Sequence, residues 1–286
     1  MGGSIFLIVW MIVGVATFVV VIQYIRRHVC GWWGMPAGPM TELPPPSKIG
    51  TGCLIYLFAD LFCSVKDSVP EPIENRYISV PSTSKFIGHR ELVEEVLVSV
   101  LGRLVADGRI SFRTAGRGAD PFTGLNLHDW ELFVNRHEAF GLTPLGRSLE
   151  IGWMDSVNNW FHRRSGDRAP ALTNVIDGTV RAMRQELGRT RCSGDACRDI
   201  VAYIQHFLIE KDLLASREGP WGLFSRPVFV PIADNIEQYR SAASELRRDL
   251  EGQTNEEPEL FKQIRGGVED ALSSIQQFEG DREGII

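Results

Sequence analysis

The sequence lacks the features that would mark a secreted or lumenal protein. It contains no Asn-x-Ser/Thr sequon, the acceptor for N-linked glycans. Its cysteines are odd in number and do not have the even, regular spacing of a disulfide scaffold. Both absences favour a reducing compartment. The five cysteines are Cys30, Cys53, Cys63, Cys192 and Cys197.

A dense basic surface is also missing. Residues 103–191 carry 13 Lys or Arg against 10 Asp or Glu, whereas residues 192–286 carry 10 against 18. The formal net charge of the whole chain is -6. Nucleic-acid binding depends mainly on neutralising phosphates, which needs a stronger concentration of basic side chains than this. We therefore expect no nucleic-acid partner.

Signatures of catalysis and of metal or cofactor binding are absent as well. None of the six histidines belongs to a His-Glu-x-x-His motif or pairs with a recognisable nucleophile motif. Cys192 and Cys197 are separated by four residues, whereas redox pairs have two, and zinc would need a second pair of ligands. A helix cap and loop is the preferred interpretation there. We predict no enzyme, no cofactor and no metal site.

The strongest positive signal is an apolar run near the start of the chain. Residues 5–25, IFLIVWMIVGVATFVVVIQYI, contain no charged side chain and are long enough as a helix to cross a hydrocarbon layer of ~30 Å. The preceding residues lack the basic side chain of a signal peptide. Arg26, Arg27 and His28 follow directly, and positive charge marks the cytoplasmic side. We predict an anchor over residues 1–28, a single span at 5–25 and a cytoplasmic body.

The remaining chain divides into a spacer and one domain. Residues 29–49 are rich in Gly and Pro, which predicts a semi-rigid extended linker. Residues 50–280 have the apolar periodicity of one mostly helical domain, and residues 281–286 are expected to form a flexible tail. The segment CLIYLFADLFCSV, residues 53–65, is too short to span a membrane and is interpreted as a buried helix. The predicted fold class is mainly α with short β-hairpins, plus the transmembrane helix.

Two segments share the order helix, turn and strand. In the first, apolar residues recur every three or four positions over residues 91–106, Asp107-Gly108 ends the helix, and residues 109–113 alternate as a strand. The second segment covers residues 199–229. RLVADGRISFR in the first matches FLIEKDLLASR in the second, which suggests two similar units packed together. Further helices are predicted over residues 145–161, 171–187, 236–250 and 260–278.

Parts of the body resemble the Golgi phosphoprotein 3 family and its bacterial relatives. Residues 207–250, FLIEKDLLASREGPWGLFSRPVFVPIADNIEQYRSAASELRRDL, resemble that family's helix ending in Leu-x-Glu-Lys-Gly, its Leu-Phe hairpin, a proline and the next helix start. Residues 101–110 resemble its earlier Leu-x-x-Arg-Gly-Arg-Leu segment. The resemblance implies a helical domain that docks on membranes. In eukaryotic members it also implies recognition of phosphatidylinositol 4-phosphate and linkage of cargo enzymes to coat proteins.

A weaker resemblance concerns residues 142–147, LTPLGR. This stretch is similar to uncharacterised bacterial membrane proteins with one N-terminal span, a proline-rich linker and a compact helical module. Those proteins carry no known activity. This second resemblance therefore implies an architecture and leaves the function open.

Arginines in the middle of the chain are the candidate lipid-binding residues. Guanidinium groups suit phosphate, including a lipid headgroup near the anchor, whereas a solvated helical face is the bland alternative. The Golgi phosphoprotein 3 family has a pair of headgroup-binding arginines. One of them falls on Arg198 in this chain, and the other falls on Val201. The family's arginine on the earlier helix falls on Leu97, and residues 76–90 contain no matching tryptophan. The candidates are Arg181, Arg184, Arg191 and Arg198.

Together these observations predict a membrane-anchored, cytoplasm-facing adaptor or binding module without enzymatic activity. Its partner is expected to be an anionic phospholipid headgroup or an unknown protein. The alternative is a membrane-tethered DNA-binding regulator of the winged-helix type, because helix, turn and strand units also build DNA readers. The weak basic balance argues against this alternative.

Overall fold

The computed structural model describes residues 43–69, 76–83, 85–115, 129–135, 140–141, 143–161, 170–188, 192–217 and 228–283. The predicted anchor, its flanking basic residues and most of the predicted spacer lie outside these ranges. No described helix is long and apolar enough to cross a membrane. Almost all described residues belong to one compact unit, Glu42–Ala215 with Phe229–Ile286. Of the other unit, Met1–Thr41 with Ser216–Val228, the structure describes only residues 216, 217 and 228, which belong to strands.

Helices dominate the described chain, and three short strand pairs connect them. Strand β1 pairs with β2 and β3 with β4, both antiparallel, and β5 pairs with β6. This confirms the coarse fold class, mainly α with short strand pairs. The elements in chain order are α1 (Pro46–Ile49), α2 (Thr51–Leu57), α3 (Ala59–Phe62), β1 (Tyr77–Ser79), β2 (Phe86–Gly88), α4 (His89–Ala106), β3 (Ile110–Ala115), β4 (Asp129–Val134), α5 (Pro144–Phe161), α6 (Leu172–Leu187), α7 (Ala196–Glu210), β5 (Leu214–Arg217), β6 (Val228–Pro231), α8 (Ala233–Glu237), α9 (Arg240–Glu256) and α10 (Pro258–Glu283).

Helices α4 and α7 lie at the centre of the core. Helix α4 packs against α2, α7 and α10, and α7 also packs against α6. Leu97 and Leu101 of α4 are fully buried, and Ile200 and Ile204 of α7 are nearly so. Burying one such side chain contributes about 1.5–3 kcal/mol, so these helices supply much of the hydrophobic stabilisation. The predicted buried helix at residues 53–65 is present as α2 and α3, with residues 53–59 buried.

The first described residues are fixed to the body. The prediction of an extended spacer up to residue 49 is corrected at its end, because Pro46–Ile49 is helical and Ile49 is completely buried. Proline is compatible with a first helical turn, where its missing N–H would have no intrahelical partner. The Tyr239 hydroxyl donates a hydrogen bond of 2.6 Å to the Pro44 carbonyl. At the other end, α10 continues to Glu283, into the predicted tail 281–286.

The two predicted helix, turn and strand units end their helices in the same way. After α4, the Arg109 amide donates to the Leu104 carbonyl at 2.9 Å, and the Gly108 amide donates to the Val105 carbonyl at 2.8 Å. Gly108 has φ +65°, as a Schellman cap requires. Strand β3 starts directly afterwards and pairs with β4 from Ile110↔Val134 to Ala115↔Asp129.

The second unit repeats this geometry after α7. The Leu213 amide donates to the Leu208 carbonyl at 2.9 Å, and the Asp212 amide donates to the Ile209 carbonyl at 3.1 Å. Asp212 has φ +56° where the first unit has glycine. The Asn235 side chain donates to the Asp212 carbonyl at 2.6 Å, as the Asn135 side chain does to the Gly108 carbonyl at 3.5 Å. The two segments thus share the same helix-ending turn with a strand directly after it.

Helices α5 and α6 approach each other very closely at two glycines. A Cβ atom on Gly152 would lie 2.5 Å from the Thr179 amide nitrogen and 2.5 Å from the Val175 carbonyl oxygen. A Cβ atom on Gly178 would lie 2.9 Å from the Gly152 Cα. The buried Ser156 hydroxyl finds its hydrogen-bond partner within α5, because it donates to the Gly152 carbonyl at 2.7 Å. This crossing fixes which face of α5 remains in solvent.

Candidate functional site

Arg184 lies in the last turn of α6 and contacts a buried carboxylate. Its Nε is 2.6 Å from Oδ2 of Asp199, and its Nη2 donates to the Gly194 carbonyl at 3.0 Å. The Asp199 side chain is completely buried, whereas that of Arg184 is about a quarter exposed. A charge-assisted contact of this kind is among the stronger hydrogen bonds in proteins. Arg184 therefore neutralises an internal charge.

Asp199 accepts further hydrogen bonds from the turn before α7. The Ser193 amide lies 2.6 Å and the Ser193 hydroxyl 2.9 Å from Oδ1 of Asp199. The Asp195 side chain caps α7 by accepting from the Arg198 amide at 2.8 Å. A guanidinium, a hydroxyl and amides at a helix N-terminus are the donors that a phosphate would use. Here two carboxylates of the same chain already accept from these groups.

The other predicted arginines form no shared cationic surface in the described residues. Nη2 of Arg181 lies 3.1 Å from Asp177 and 3.4 Å from Asp155, and its side chain is half exposed. Arg198 is half buried in the first turn of α7, where its amide binds the capping Asp195. Arg191 lies outside the described residues. Sequence reasoning located the arginines but missed the three aspartates that neutralise Arg181 and Arg184.

The cysteines near this turn behave as structural thiols. Cys192 and Cys197 are not joined by a disulfide. The Cys192 thiol donates to the Gly188 carbonyl at 3.4 Å, and burial raises its pKa. Residues 192–195 lead into the Asp195 cap of α7, which agrees with the predicted cap and loop. Within the described ranges, no group of three or more His, Cys, Asp or Glu side chains could hold a metal ion.

The outer face of α5 has the exposed apolar side chains. Ile151 is 53% and Met154 47% exposed, and they are the large hydrophobic residues exposed in the described part of the chain. Arg147, Glu150 and Asn158 are exposed on the same side of the helix. We call these five residues the α5 face. A helical projection could have identified it, because Ile151 and Met154 fall opposite the buried positions of this helix.

The helices that lead into the strand pairs each bury more than half of their residues. In α7, nine of the 15 residues are buried, and the residues of α4 are buried along most of its length. A winged-helix protein must place one exposed helix in the DNA major groove. The buried faces of these two helices supply the core, and the DNA-binding alternative stays a prediction.

Comparisons of the chain with protein-family models, with characterised proteins and with solved structures find no match. The chain is therefore classified by its fold alone, as a mainly helical domain with short strand pairs. The resemblance to the Golgi phosphoprotein 3 family stays a prediction from residues 207–250 and 101–110.

Proposed function

We propose that the chain is a membrane-anchored, non-enzymatic binding module that holds a protein partner at the cytoplasmic side of a membrane. The anchor at residues 5–25 and the orientation rest on sequence patterns. The observation that favours a protein over a lipid partner is the pairing of Arg181 and Arg184 with carboxylates of the same chain.

An anionic headgroup would meet a different obstacle at each of these two arginines. At Arg184 it would have to displace Asp199, and a buried carboxylate left without its partner costs about 3–5 kcal/mol. At Arg181 it would approach two aspartates within 4 Å of the guanidinium, and these repel an anion. Neither arginine offers the unopposed positive charge that headgroup recognition needs.

The α5 face is the contact surface that this proposal assigns to the partner. Met and Arg are enriched at protein interfaces, and here Met154 and Ile151 lie beside Arg147. The close crossing at Gly152 holds the helix rigidly against the body. A rigid helix with an apolar centre and charged neighbours is a common form of protein-binding surface.

Site-specific photocrosslinking in cells tests the surface. The photoreactive amino acid benzoylphenylalanine is placed at Ile151 in the full chain, and at the exposed Glu245 of α9 as a control. We expect a discrete crosslinked protein from position 151 and not from position 245. The substitution Met154→Asp should weaken that product while leaving the amount of folded chain unchanged. Equal products from both positions would count against the α5 face.

A second measurement separates the lipid and DNA alternatives. Purified full chain in detergent is titrated with a soluble inositol phosphate and with duplex DNA in low salt. We expect no saturable binding of either. Inositol phosphate binding that disappears in Arg198→Ala would support the lipid-adaptor hypothesis instead. DNA binding that weakens steeply with salt would support the winged-helix hypothesis.

A further inference from the structure

We draw no further inference here: the strongest candidate, the exposed apolar pair Ile151 and Met154 on the outer face of α5, belongs to the surface already described, and nothing in the described residues shows what covers it.

Discussion

The crossing of α5 and α6 predicts opposite effects for two glycine-to-alanine substitutions. In Gly152→Ala the new methyl group would lie 2.5 Å from backbone atoms of Thr179 and Val175, which cannot turn aside as a side chain can. In Gly266→Ala, within α10, the new methyl group meets no atom within 4 Å apart from the adjacent residues and backbone of its own helix. Alanine favours helix over glycine by about 1 kcal/mol at both positions. The comparison therefore isolates the close packing.

The expected loss of stability in Gly152→Ala follows from the distance by which the two helices must move apart. Ordinary contact begins at 3.4 Å, so α5 would have to retreat from α6 by about 0.9 Å. A gap of that size loses about a quarter to a half of the dispersion energy between facing atoms. Overpacking costs about 1–3 kcal/mol, so after subtracting the helix gain of about 1 kcal/mol we expect Gly152→Ala to lower the free energy of unfolding by up to about 2 kcal/mol. Gly266→Ala should raise it by about 0.5–1 kcal/mol.

Urea unfolding of the full chain in one detergent, followed by far-UV circular dichroism, measures both variants. The urea midpoint should fall for Gly152→Ala and rise for Gly266→Ala, with an unchanged slope. Gly252→Ala in α9, where the new methyl group likewise meets nothing within 4 Å beyond its own helix, is a second control. Midpoints that shift in the same direction for Gly152→Ala and Gly266→Ala would refute the packing argument.

Four further substitutions, one of them a control, test other parts of the structure. Arg184→Ala should lower the free energy of unfolding by about 3–5 kcal/mol because it removes the cation that neutralises the buried Asp199 carboxylate, whereas Arg181→Ala should cost less than about 1 kcal/mol. Urea unfolding compares the two variants, and equal losses would contradict this assignment. Asp212→Gly should raise the thermal midpoint, because glycine adopts φ +56° without strain, and a lowered midpoint would show that the aspartate stabilises the turn. Burial raises the pKa of Tyr203 to about 12, above its unfolded value of about 10. The folded state therefore holds that proton more tightly, and stability is lost as the pH rises from about 10 to about 12. Tyr203→Phe should lose less over this range, as measured by circular dichroism.

The sequence identifies the helices and turns whose signals are local. The apolar spacing in residues 91–106 and the glycine at position 108 predict α4 and its cap almost to the residue. The same reasoning finds α7, although Asp212 stands where glycine is expected. The spacing of apolar residues and the residue types at the turns predict these helices, because both signals depend on residues that are close in sequence.

Contacts between distant residues are not visible in such patterns. Gly152 and Gly178 look like weak points of two helices, yet each is required because the other helix backbone occupies the space of its side chain. Arg184 has the appearance of a surface cation, and only the fold brings Asp199 within 2.6 Å of it. Composition alone therefore mispredicts the charge of a surface where a buried partner of opposite charge neutralises an exposed side chain.

The hydrogen bond between Tyr239 and Pro44 determines where tension on the chain would reach the body. A pull from residues ahead of Leu43 is resisted first by this bond, close to the start of α9, and then by Ile49 inside the core. The first described residues are thus attached to the body by a hydrogen bond and by a buried side chain. A load applied from the N-terminal side would therefore reach the start of α9 through Tyr239 and the core through Ile49.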